Sequence, residues 1–162
     1  MKGNAFGYFC NLQKHTIMLH AHSGLRWLVL TFLLLAIIKS FGGWFGKKPF
    51  KKSDNFIAIL LLSFTHTQAL IGLALYFMSG WGIVFGNMSV AMKDASVRFW
   101  SLEHLIIMLG AVVLITLGRV KSKKAKTDTN KHKKGAIFYL LALLLIVWAG
   151  IIKPYALGRG WF

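Results

Sequence analysis

The stretch Phe99–Gly118, reading FWSLEHLIIMLGAVVLITLG, constrains the fold more than any other part of the chain. It is almost wholly apolar, and as a helix it would rise about 30 Å, the thickness of a bilayer's hydrocarbon core. Glu103 and His104 stand inside its first two turns. An ionisable side chain at membrane depth costs about 3 kcal/mol or more unless it is partnered, so such residues are functional candidates by default. Two further apolar runs carry histidines: HAHSGLRW opens one, and FTHTQALIG lies in the middle of another.

Of the 162 residues, 56% are hydrophobic, more than a soluble domain of this size can hide. Four spans account for the excess, at about 17–39, 56–78, 99–118 and 135–152. The expected fold is therefore all-α and integral to a membrane: a four-helix up-down-up-down bundle filling 17–162 as one domain. Residues 1–16 show no clear periodicity and read as a short arm, or as a leader upstream of a start at Met18. No small-residue cleavage site follows the first apolar run, so a cleavable signal is not expected. Cys10 is the only cysteine, which excludes an intrachain disulfide and an iron–sulfur ligand set, and the absence of a C-x-x-C-H motif excludes covalent c-type haem attachment.

Net charge is +16, and the only acids are Asp54, Asp94, Glu103 and Asp128. The basic residues flank apolar spans, a pattern of membrane topology and anionic headgroups rather than of nucleic-acid binding. Four lysines lie in the linker SFGGWFGKKPFKKSDN, where Ser53 or Asp54 is the candidate N-cap of the second span. Eight Lys or Arg lie in Arg119–Lys134, which reads as a solvated loop that includes a solvated His132. His15 likewise reads as solvated. Asn87–Arg98 is a weak candidate for a short surface helix. Both basic loops fall on one side of the bundle, which should be cytoplasmic, with both termini outside. Trp81, Trp100, Trp148 and Trp161 then mark the outer interface.

Depth decides which histidines can meet. His22 and His104 each lie about five residues inside the outer end of their spans, roughly 7–8 Å deep. His66 lies nearer the midplane. Spans one and three are diagonal in an up-down-up-down bundle. Two imidazoles at equal depth on diagonal helices can clasp a planar macrocycle, the arrangement of a bis-histidine b-type haem. A histidine near a span end is otherwise an interfacial residue, which is the reading for His20, with a shift of register exchanging His20 or His66 into the ligand layer. Arg26 shares a face with His22, four residues on, and its anion would be Glu103 or a haem propionate. Failing either, it snorkels to the interface. Gln68 and Gly72 share a face of the second span, with Thr65 one turn before; they offer room for a ring or helix–helix packing. Met108, four residues after His104, reads as core.

HSGLRWLVL, then QALIG, then the Glu103–His104 pair entering a later span resemble the small four-helix bacterial membrane proteins called cytochrome b-like. More distantly, the layout is similar to b561-type cytochromes and to one four-helix half of haem A synthase. The resemblance covers most of 18–162 and implies haem b ligated by His22 and His104, with Gln68–Gly72 matching the second-span pattern. The function so implied is single-electron transfer in the bacterial inner membrane, with a quinol or a respiratory-chain subunit as partner. The competing expectation is an accessory or assembly subunit without a cofactor. A copper or other metal site at His20, His22 and His104 is a third. Lysine asymmetry makes orientation testable: cytoplasmic reporters fused within 121–134 should be active, and the reverse result would move the histidine layer to the inner face.

Overall fold

The computed structural model describes residues 4–79 and 88–158, and every described segment of regular structure is helical. Helix α1 runs Asn4–Phe45 and α2 runs Lys52–Met78. Two short helices follow, α3 (Met88–Lys93) and α4 (Ala95–Arg98). A π-helical turn, Phe99–Glu103, leads into α5 (His104–Lys123). Helix α6 (Asp128–Val147) passes through a second π-helical turn, Trp148–Ile152, into α7 (Lys153–Ala156).

The ends of these helices follow local chemistry. The α1 terminus closes with Lys47 in the left-handed region, at φ 47°, while the Lys48 amide donates back to Gly43 O at 3.0 Å. At the start of α2 the cap residue is Lys51, not Ser53 or Asp54. Asp54 sits three residues in and accepts the Lys51 amide at 2.8 Å, the carboxylate half of a capping box. Asp94 caps α4 by accepting from the Val97 amide at 2.8 Å, which splits the stretch expected as one surface helix into α3 and α4. Thr127 caps α6.

Neighbouring long helices are antiparallel, and they pack in the cyclic order α1, α2, α5, α6. The residues that meet run oppositely along each pair: Lys39 with Asp54 and His15 with Ser79 on α1/α2, and Asn55 with Arg119 and Tyr76 with Ser101 across α2 and α5. Helices α1 and α5 stand diagonally, as expected of spans one and three. Leu33, Leu61, Ile115 and Tyr139 fill the centre. The outside is apolar too: Ile38, Leu70, Val113 and Leu144 are all more than half exposed. All four long helices have the length and hydropathy to cross a membrane.

Three boundaries differ from the sequence reading. The segment 4–16 is continuous with span one in α1, and α1 runs on through the start of the first linker to Phe45. The expected loop Arg119–Lys134 is mostly helix, because only 124–127 separates α5 from α6. That stretch holds no Pro and no Gly, and lysine is a good helix former, so solubility was no sign of a loop. Nor is His132 solvated. It is 2% exposed, its ring lying face-on against Gly43, where an added Cβ would clash with the imidazole, and beside Phe50 at 5.1 Å. Arg119 is also buried, donating to Asn55 Oδ1 at 2.6 Å. Trp81 and Trp161 lie outside the described residues.

Candidate functional site

At the end of the bundle away from the lysines, the four helices part around a cavity of about 330 Å³. It follows α2 from Thr65 to Ser79, about 21 Å of helix. His22, Arg26, Gln68, Gly72 and His104 all line it, from three different helices.

The two imidazoles come to one level. His22 lies against Gly72, where an added Cβ would stand 2.9 Å from its Cε1. Tyr76, one turn outward of Gly72, donates its hydroxyl to Ser101 O at 2.8 Å. Gly72 is therefore about 6 Å inward of Tyr76, and His104 about 4.5 Å inward of Ser101. His22 and His104 therefore lie at similar depth on diagonal helices.

His104, Arg26 and Gln68 are each held by a backbone acceptor on a neighbouring helix. His104 Nδ1 is 3.0 Å from Ala149 O, and with Nδ1 donating, Nε2 is the basic nitrogen, the form in which an imidazole binds metal. Arg26 Nη1 donates to Gly150 O at 3.3 Å, and its guanidinium lies 5.3 Å from the Trp27 ring. Gln68 Nε2 donates to His22 O at 2.9 Å. The carbonyls of Ala149, Gly150 and Ser101 all belong to the two π-helical turns, where the regular i→i+4 ladder is interrupted and carbonyls can accept from elsewhere.

Two expectations are corrected. Glu103 does not share a buried layer with Arg26; it pairs with Arg98 at 2.7 Å, and both side chains are one-third exposed. These two residues are five apart, the spacing that a π turn aligns, and the extra residue rotates the helix by about 100° from an uninterrupted α phase. His66 neither lines the cavity nor reaches a neighbouring span. Its Nδ1 turns back to Leu62 O at 2.8 Å on an exposed face of its own helix. His20 is exposed. Among the described residues no three His, Cys, Asp or Glu side chains gather as a metal site, so His20, His22 and His104 form none.

His15 and Tyr76 line the cavity from outside the expected set. His15 reaches Ser79 Oγ at 2.8 Å at the mouth; it precedes His22 by seven residues, two turns along the same face. Tyr76 continues the four-residue spacing of Gln68 and Gly72. Thr65 opens that same face one turn earlier.

His22 and His104 are the pair that could hold an iron macrocycle between diagonal helices. A glycine seat for one ring and a backbone anchor for the other fit that role. No family model, curated protein or solved structure matches this chain.

The seat makes a testable claim. The clashing atom lies at the tip of a side chain that can turn, so Gly72→Ala should displace the His22 ring and leave the bundle folded. Gly24→Ala, where an added Cβ meets nothing within 4 Å, should not. Histidine ring resonances read by nuclear magnetic resonance check this, and an unmoved His22 signal in Gly72→Ala would remove the seat.

Proposed function

We propose that this chain is a membrane b-type cytochrome that holds one haem between His22 and His104 and passes single electrons. It resides in the bacterial inner membrane with its lysine-rich end in the cytoplasm. The observation that carries the reading is the pair of imidazoles at one depth, on diagonal helices, lining one cavity. The fold supports the membrane part through four sufficiently long apolar helices with apolar outer faces.

When bound, the haem supplies a one-electron couple. The chain's own residues do the rest. Ala149 O keeps the His104 proton on Nδ1, leaving Nε2 basic. Gly72 leaves space for the His22 ring, and Gln68 braces the α1 backbone at His22. Arg26 is held at the cavity wall by Gly150 O, where its positive charge favours a carboxylate on the guest. Leu105, Leu109 and Val112 make the α5 wall apolar and keep water from the site. Partners in this reading are the lipid bilayer and a quinol or respiratory-chain subunit.

The visible spectrum tests it. A low-spin bis-imidazole iron gives sharp α and β bands on reduction and binds no carbon monoxide. His22→Ala and His104→Ala should each abolish or convert that spectrum. His66→Ala, which touches neither cavity nor neighbour, should leave it intact. A colourless protein from haem-replete cells would leave the accessory-subunit reading in its place.

A further inference from the structure

The α2 wall of the cavity carries two polar atoms that nothing in the described chain satisfies. Gln68 Oε1 and Thr65 Oγ1 are both shielded from solvent and without a hydrogen-bond partner, and both residues line the cavity. Their spacing of three places them on one face of α2. Thr65 is 4% exposed. Its hydroxyl departs from the habit of the other threonines in the spans. Thr31, Thr67 and Thr116 each donate to the carbonyl four residues back on their own helix, at 2.8, 3.0 and 2.8 Å. Such back-bonding is the ordinary refuge of a hydroxyl in an apolar helix, and Thr65 forgoes it.

The amide orientation of Gln68 is settled by its other end. Only the –NH2 group can donate to His22 O, so the group left without a partner is the carbonyl oxygen, an acceptor. A buried acceptor loses its hydration and regains it only from a donor. The adjoining wall is apolar, formed by Leu105, Leu109 and Val112 of α5. A flat apolar ring carrying an O–H at its edge meets both walls.

We propose that the inner part of this cavity binds a para-hydroquinone, with one hydroxyl donating to Gln68 Oε1 and the Thr65 hydroxyl bonding the same oxygen. The inference rests on the cavity being the protein's redox site and names its small-molecule partner. Thr65 can donate to a quinone carbonyl or accept from a hydroquinone hydroxyl, so it serves either state. Gln68 Oε1 can only accept, so it opposes a quinone carbonyl and selects the reduced form. Gln68 and Thr65 lie about 6 and 10 Å inward of Gly72 along α2, below the imidazole layer.

The test is anaerobic equilibrium dialysis of the purified full chain, coloured or not, against tetramethylhydroquinone and, separately, the corresponding quinone. The native protein should bind the hydroquinone at least tenfold more tightly than the quinone. Gln68→Leu should remove that preference. Thr65→Val is isosteric and breaks no contact of the folded chain, so it reports even where Gln68→Leu does not fold; it should weaken both ligands about tenfold. Equal affinity for the two ligands in the native chain, as when a water alone satisfies both groups, would overturn the proposal. So would a preference that survives both substitutions. The spectrum is recorded on the same samples, so loss of the haem reading and loss of the hydroquinone site are read separately.

Discussion

A polar side chain inside a bundle whose outside is also apolar must find its partner within the bundle. The histidine end of this structure depends on that constraint. Water and surface are both out of reach, and regular helices offer few acceptors, because their carbonyls are already committed to the ladder. The two π-helical turns, Phe99–Glu103 and Trp148–Ile152, break the ladder at the depth where acceptors are needed. His104, Arg26 and Tyr76 each bond a carbonyl in one of these turns. The turns lie at the cavity itself, consistent with the frequent appearance of π-bulges at functional sites.

The two ends of the bundle solve the same problem in opposite ways. At the lysine-rich end polar groups pair directly, Arg119 on Asn55 and Lys39 on Asp54, while His132 packs under Phe50 against Gly43 with neither ring nitrogen hydrogen-bonded. The space beside Ser40 and Tyr139 at this end is about 10 Å³, scarcely room for one water. At the other end similar groups are spread around a cavity some thirty times larger. Closed packing at one end holds the helices in register, so that residues on three of them can address a common space at the other.

The number of spans, their diagonal order and the common depth of His22 and His104 were legible in the sequence, because hydropathy and rise per residue carry that information directly. The Gln68–Gly72 face was legible for the same reason, with glycine leaving room for a ring. The partners of Arg26 and Glu103 were not. A π turn is one extra residue with no composition of its own; the first rotated Glu103 towards Arg98, and the second supplied Arg26 with a carbonyl where an anion had been expected. His132 reads as solvated from the sequence because its neighbours are lysines. A helical stretch of lysines hides one inward face as readily as a solvated loop does, and the four-residue connection 124–127 left that face against α1. His15 was overlooked with its whole segment, since 1–16 read as an arm while α1 extends through it.

The central claim is that two imidazoles, one from α1 and one from α5, address a single iron. Pulsed electron paramagnetic resonance on the oxidised protein, with histidine alone labelled by nitrogen-15, measures this directly. The account predicts hyperfine coupling from two equivalent axial histidine nitrogens. Coupling from one histidine only, or a paramagnetic iron with none, would contradict it.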